Sequence, residues 1–267
     1  MTEGAWARAC AAGGAVAVVL LLAGNEVTKI GGGSPPLHAS PREYAEAVGT
    51  PAGSLVGGFL VVLGLCLLVP FFASLADTLR RASGDRELLP TVLLGGGLVT
   101  VAVGLTAGAP LFAAGVLADD GQLDPTLAKA LQLMNGGLFV VMWATSAISV
   151  GATAILVLRT HALPRLIGWS GALLAPALVA ASLAVWEYEA AVLAWALTML
   201  WIIATSITAA VCAGQTRSRP IAAPIPARSD PSGDSRSRAR LWPRSARRAE
   251  PRPQDAVLAH RHTKEQP

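Results

Sequence analysis

Few residues of this sequence are of types that catalyse reactions or bind cofactors, and they form no known motif. The histidines are His38, His161, His260 and His262, and none lies in a long apolar segment, where a membrane haem would need paired axial ligands. The sequence contains no Gly-rich phosphate loop, nucleophile elbow or zinc-protease motif. We therefore expect no catalytic residues and no cofactor, and favour a protein that is not an enzyme.

Metal and thiol chemistry have little support. Glu43 and Glu46 stand three residues apart on a predicted short helix near His38, which is one pattern for a weak divalent-cation site. Solvated carboxylates are far more common in loops, so we predict no metal site. The three cysteines lack the spacing of a zinc site and lie in or beside apolar segments, where they serve as small apolar residues.

Small polar residues recur on one face of the fourth apolar segment. They are Asn135, Ser146, Ser149 and Thr153. Such a polar stripe can line a solute path, but hydroxyl groups in membrane helices also bond to their own helix or to a neighbour. We favour helix packing and keep a solute path as the alternative.

Glycines form rows in the second and third apolar segments. The third segment carries Gly97, Gly104, Gly108 and Gly115 within about 20° of one direction on a helical wheel, and the second carries Gly53, Gly57 and Gly64. Glycine lets helix backbones approach closely. We predict that these rows mark helix contacts and face each other; the alternative is a hinge or substrate groove near Pro110, which should kink or end its helix.

These patterns lie on six apolar segments, each long enough to cross a bilayer. Of 267 residues, 53% are hydrophobic and only 14% are charged, which is far from the balance of soluble proteins. The predicted spans are residues 9–30, 52–76, 88–118, 131–158, 166–186 and 190–213. We expect an all-α bundle of six transmembrane helices over residues 1–213, with the first span retained because its cleavage-site pattern is poor.

The distribution of Lys and Arg predicts the orientation. Of the 21 basic residues, 18 lie on the side that holds both termini and three on the other. Because basic residues concentrate on the cytoplasmic side, we predict that both termini are cytoplasmic. Trp6 and Trp169 at inner boundaries, and Trp186 with Tyr188 at the outer one, fit an aromatic belt. The excess of Arg over Lys, with abundant Ala and Gly, suggests a high-GC genome. We expect the bundle to lie in a bacterial cytoplasmic membrane.

Two outer connections carry helix-start signals. Ser40 is followed by Pro and, three residues on, by Glu43, which is a capping box that predicts a short helix as far as Val48. Asp124 is also followed by Pro, so the helix of the fourth span should begin before its apolar segment.

Residues 214–267 form a basic tail. It carries 12 Lys and Arg against five Asp and Glu, is rich in Pro and Ser, and lacks apolar periodicity, so we predict a disordered cytoplasmic tail. Such a tail is attracted to anionic lipid. Nucleic acid is the alternative partner, but a basic stretch without a folded recognition module binds phosphate without selectivity.

Several segments resemble one known family. The sequence Pro-Arg-Glu-Tyr-Ala-Glu at residues 41–46, the end of the second span at residues 75–81, and the Leu-Pro-Arg turn at residues 163–165 before Ile-Gly-Trp at residues 167–169 are similar to bacterial six-helix membrane proteins grouped as domain of unknown function 4386. The resemblance covers residues 5–212 and implies a six-helix architecture. The family has no established activity, so the resemblance implies no functional residues.

Two functional hypotheses follow. The leading one is a non-enzymatic integral membrane protein that acts through helix packing or partner interaction. The alternative is a carrier or channel for a small neutral or apolar solute, which would use the polar stripe and the glycine faces. A wet cavity bordered by Ser146, Ser149 and Thr153 would favour the carrier, and tightly packed spans would favour the first hypothesis.

Overall fold

A computed structural model describes residues 3–30, 35, 38–48, 51–84, 88–183 and 188–215. The helices of this part are α1 (Glu3–Thr28), α2 (Pro41–Glu46), α3 (Pro51–Ser83), α4 (Leu89–Asp119), α5 (Pro125–Thr160), α6 (Arg165–Leu183) and α7 (Tyr188–Gln215). Six of them, all except α2, are long and apolar enough to cross a membrane, which confirms the predicted all-α class and number of spans. The aromatic anchor at Trp186 and the tail from residue 216 onward lie outside the described residues.

Polar residues at the helix ends explain why several helices extend beyond their apolar segments. The α3 helix continues to Ser83, and in its last turns Arg81 pairs with Asp77 at 2.7 Å, four residues earlier. The α5 helix begins at Pro125, where the Asp124 carboxylate accepts hydrogen bonds from the N–H of Thr126 at 2.8 Å and of Leu127 at 3.2 Å. The predicted early start of α5 is therefore confirmed.

Prolines lie inside three of the long helices without ending them. Pro70, Pro110 and Pro176 are interior residues of α3, α4 and α6. Of the two effects expected of Pro110, a kink or an end of the helix, the second does not occur, because α4 continues to Asp119. Neighbouring helices and local adjustments of the backbone make proline tolerable inside a membrane helix.

The six long helices form a closed ring. Each one contacts the next long helix in the chain, and α7 returns to contact α1. The α3 helix also contacts α5 and α7 across the middle, and the short α2 lies on α5. Sequence neighbours are therefore spatial neighbours, and the first and last spans share an interface.

Many of the large buried apolar side chains lie at one end of the helix bundle. The largest fully buried ones include Phe71, Leu75, Leu79, Leu93 and Leu156, near the α3–α4 and α5–α6 turns. Toward the opposite end the buried positions of α4 and α5 are small, among them Ala107, Ala114, Gly115 and Ala128. Large side chains fill the first end, and at the second end the backbones of α1 and α3 approach closely at Gly24 and Gly57.

Candidate functional site

Three of the four residues of the α5 polar stripe are buried by the packing of the helices. Ser146, Ser149 and Thr153 are 8%, 2% and 1% exposed. Their hydroxyl groups donate to the carbonyl oxygens of Met142 at 2.7 Å, Ser146 at 3.0 Å and Ser149 at 2.7 Å, all within α5. Because each hydroxyl hydrogen is used by its own helix, these residues do not present a row of free donors to a solute.

Asn135 behaves differently from the other three members of the stripe. It is half-buried, and its side-chain N–H donates to the Ala107 carbonyl of α4 at 2.7 Å. Farther along the same interface, the hydroxyl oxygens of Thr100 and Thr145 lie 3.2 Å apart. The structure therefore divides the predicted stripe into a link between α4 and α5 at Asn135 and an internally bonded segment around Ser149.

Two glycines of α4 lie where α3 side chains approach most closely. A Cβ atom built at Gly97 would be 2.6 Å from the Phe72 ring, and one at Gly104 would be 3.0 Å from Leu65 Cδ2. Both distances are too short for an unrelieved contact. These glycines make room for large side chains of the neighbouring helix.

Gly108 does not share this contact, contrary to the prediction. It is exposed, and in the described part of the chain no atom beyond its local backbone lies within 4 Å of a Cβ built there. The buried positions of α4 near this level are Ala107 and Pro110, and Ala107 lies 100° away from Gly108 on the helix. Gly108 therefore lies off the contact face, whereas the buried Gly115 lies on it, since a Cβ built there would be 3.3 Å from Ser54 Cβ of α3.

The glycines of α3 face α1, so the two predicted rows do not face each other. A Cβ at Gly57 would lie 2.7 Å from the Gly24 carbonyl oxygen, and one at Gly64 would lie 2.9 Å from that of Ala17. Gly53 is also buried. On α3 the residues that meet α4, Leu65 and Phe72, are rotated by about 100° from the glycines. The α3 helix thus presents backbone to α1 and side chains to α4.

The predicted capping box starts α2. The Glu43 N–H donates to Ser40 Oγ at 3.3 Å, and the Ser40 N–H donates to the Glu43 carboxylate at 2.6 Å. The hydrogen bond from the Ser40 backbone N–H is the main cause that lowers the pKa of the Glu43 carboxyl, and the hydrogen bond with the Ser40 side chain lowers it further. The helix ends at Glu46, two residues before the predicted Val48.

The carboxylates of this short helix are each bound within its own segment. Glu43 is bound to Ser40, and Glu46 pairs with Arg42 at 3.0 Å. Among the described residues, no group of three or more His, Cys, Asp and Glu side chains is placed to hold a metal ion.

The α2 helix is anchored on α5 by one aromatic side chain and two polar ones. Tyr44 is 4% exposed, and this burial raises the pKa of its phenol. Lys129 Nζ donates to the Ala39 carbonyl at 2.9 Å and lies 5.6 Å from the centre of the Tyr44 ring. Gln132 donates to the Tyr44 carbonyl at 3.4 Å. The α2 helix and the residue Ala39 before it are thus fixed on α5.

Ser206 joins the first and last helices, and the sequence patterns gave no indication of it. The Ala15 N–H of α1 donates to Ser206 Oγ at 3.0 Å, and the Ser206 hydroxyl donates to the Ala11 carbonyl. Since Ala11 and Ala15 are four residues apart, the hydroxyl bridges a donor and an acceptor that normally bond to each other in an α-helix. A lone Ser inside an apolar run carries no periodic signal of this role.

Two buried polar atoms have no hydrogen-bond partner in the described part of the chain. They are Trp143 Nε1 and Thr205 Oγ1. A separate shallow cavity of about 100 Å³ lies between the start of α3 and the end of α4, where Ser54, Phe112 and Asp119 line it. None of the α5 polar stripe borders this cavity.

The α5–α6 turn has a left-handed residue at the end of α5 and a side-chain contact across the turn. His161 ends α5 with φ 56°, a left-handed conformation that is uncommon outside glycine, and its ring Nε2 lies 2.9 Å from Arg165 Nη2. Beyond the turn, Trp201 Nε1 of α7 donates to the Ile167 carbonyl at 3.3 Å, which ties the beginning of α6 to α7.

Comparisons with protein-family models, with curated proteins and with solved structures gave no match for this chain. The resemblance to domain of unknown function 4386 therefore stays a prediction.

Proposed function

We propose that this chain is a non-enzymatic protein of the bacterial cytoplasmic membrane that acts by interacting with partners. Its helices form a packed bundle that conducts no solute. The observation that carries the proposal is the closure of the inner polar stripe. Ser149 and Thr153 are almost completely buried, and their hydroxyl groups donate to carbonyls of their own helix. A conducting path needs polar groups that face an open space.

Solute flux tests this proposal directly. The full-length protein would be reconstituted in vesicles, which are then exposed to a sudden gradient of glycerol or urea while light scattering follows their reswelling. Because the bundle is packed through its polar stripe, we expect reswelling at the rate of protein-free vesicles.

Faster reswelling would contradict the proposal of a packed bundle if the flux depends on the polar stripe of α5. Ser149→Leu fills the stripe and should abolish such a flux. Thr106→Leu is the matched control, because Thr106 is exposed on α4 and its hydroxyl donates to its own helix at Ala102, 2.9 Å away. A flux stopped by Ser149→Leu but not by Thr106→Leu would establish the carrier.

One observation favours the carrier as second candidate. Trp143 Nε1 and Thr205 Oγ1 are buried without a described partner, and such atoms normally bond to water or a ligand. Thr205→Val removes one of them with little change in volume. If the chain is a carrier of a small neutral or apolar solute, Thr205→Val should change the flux measured in the same vesicles.

The proposal includes an orientation with both termini in the cytoplasm and a lipid-bound tail. The 12 Lys and Arg after residue 213 support both parts. A synthetic peptide of residues 216–267 should bind vesicles of anionic lipid and leave them as the salt concentration rises, since salt screens the attraction. Binding that does not respond to salt would contradict the electrostatic part.

A further inference from the structure

We propose that the outward face of α6 and the adjoining α5–α6 turn bind one anionic phospholipid. This inference does not depend on the proposed function, because a packed scaffold and a carrier could each hold a lipid at this place. It concerns a folded part of the bundle and is separate from the basic tail.

The apolar part of the surface is a continuous row along α6. Leu166, Trp169 and Leu173 are 76%, 62% and 73% exposed, and their spacing of three and four residues places them on one side of the helix. The row extends about 10 Å from Leu166 to Leu173, which suits the upper part of an acyl chain. Their neighbours Ile167 and Leu174 are buried in the bundle, so α6 has two distinct faces.

The head of this row is basic, and Arg165 is an exposed cation in it. Arg159, His161 and Arg165 lie within seven residues of one another, and residues 125–183 contain no Asp or Glu. Arg165 is exposed, and its contact with the His161 ring uses only one of its nitrogens. A guanidinium has five N–H donors, so the others remain able to bind phosphate oxygens.

The backbone beneath the charged head is fixed before any lipid arrives. Leu163 and Ile167 are 3% and 5% exposed and anchor the turn in the core. A Cβ at Gly168 would lie 2.8 Å from Leu158 Cδ2, which shows how closely α6 approaches α5. Because the turn does not have to become ordered on binding, selectivity for the head group costs little conformational entropy.

Charge complementarity identifies the occupant. Any phospholipid can cover Leu166, Trp169 and Leu173, but a lipid with a net negative head group also satisfies the basic turn. Each basic residue near a membrane surface favours an anionic lipid by roughly five-fold. An anionic phospholipid is therefore preferred over a zwitterionic one.

Trp169 provides a local probe for the test. The full-length protein and the Trp169→Phe variant would be placed in bilayers with increasing fractions of phosphatidylglycerol or phosphatidylcholine, each brominated near the head-group end of the acyl chain. The difference between the two proteins isolates the Trp169 emission. We expect brominated phosphatidylglycerol to quench it at about one fifth of the fraction that phosphatidylcholine requires, or less.

Two Arg variants separate a specific site from a general surface charge. Arg165→Gln should reduce the preference for phosphatidylglycerol by roughly five-fold. Arg81→Gln removes the same charge from α3, where Arg81 is exposed and paired with Asp77, and should leave the preference unchanged. Equal losses in both variants would overturn the proposal, because the preference would then reflect net charge alone.

Three further outcomes would also overturn it. The first is equal quenching of the wild-type protein by the two lipids. The second is no quenching by either lipid, which would mean that a second copy or another protein covers Trp169. The third is a preference that does not fall with rising salt in the wild-type protein, a measurement that needs no variant to fold.

Discussion

The position of a glycine decides its role in this bundle. Gly97 and Gly108 belong to the same row on the α4 helical wheel, yet one faces the Phe72 ring and the other faces open space. A glycine at a helix contact permits close approach, whereas an exposed one contributes no packing. Substitution at the two positions should therefore have opposite consequences.

Gly97→Ala should destabilise the detergent-solubilised protein by about 1–3 kcal/mol, because the added methyl group overlaps the Phe72 ring and forces a shift. Unfolding of the purified protein by increasing denaturing detergent measures this change. Gly108→Ala is the control and should be neutral or stabilising, since alanine is the better helix former. Equal destabilisation by the two substitutions would mean that α4 does not pack as described.

Ser206→Ala should weaken the contact between α1 and α7 by about 0.6 kcal/mol and by no more than about 1.7 kcal/mol, the range measured for hydrogen bonds between membrane helices. The cost is moderate because Ala11 and Ala15 can restore a normal helix bond once the hydroxyl is gone. Equilibrium unfolding in detergent measures it.

Thr208→Ala is the matched control for Ser206. The Thr208 hydroxyl donates only to carbonyls of its own helix, Ala204 at 2.8 Å or Thr205 at 3.0 Å. Its removal should therefore change the stability less. A larger effect at Thr208 than at Ser206 would contradict the role of Ser206 as the link.

The position of α2 depends on a few contacts of its own residues. The Glu43 carboxylate closes its first turn, and Tyr44 with Lys129 fixes it on α5. A six-residue helix has little intrinsic stability, so these contacts determine whether it forms.

The stability of α2 should depend on pH through Glu43. The hydrogen bonds from Ser40 lower the pKa of Glu43 below its ordinary value of 4.5 in the folded protein. Their contribution is therefore fully present above pH 4.5 and is lost as the pH falls through the lowered pKa. The NMR signal of the Ser40 amide should titrate with a midpoint below 4.5.

Glu46→Gln provides the comparison for this titration. Glu46 pairs with the exposed Arg42 and does not bind Ser40, so the substitution should leave the Ser40 midpoint unchanged. A midpoint at or above 4.5 in the wild-type protein would show that Ser40 does not stabilise the carboxylate in solution.

The sequence predicted the elements better than the contacts between them. Long apolar runs and local caps are properties of neighbouring residues, and the six long helices and the starts of α2 and α5 followed from them. Which face of α3 meets which helix depends on residues far apart in the chain. For that reason Gly57 and Gly64, which we expected to face the glycines of α4, lie against α1 instead.

For the whole molecule, the main prediction is the orientation in the membrane. Reporter fusions that are active only in the periplasm should be silent after Arg86, Arg165 and Gly214, and active after Gly49 and Gly121, because 18 of 21 basic residues lie on the side of the termini. Fusions give this result in living cells without purification. An active reporter after Gly214 would reverse the assignment.

The link between α1 and α7 has a consequence for synthesis. Ser206 lies 191 positions after Ala15 and 195 positions after Ala11 in the chain. At about 5–20 residues per second, a ribosome needs roughly 10–40 seconds to make the intervening chain. Throughout that interval the α1 surface around Ala11 and Ala15 has no permanent partner and must be covered by lipid or by the insertion machinery. Closure of the ring is thus a late event in biogenesis, and a chain interrupted before α7 would leave this seam exposed inside the membrane.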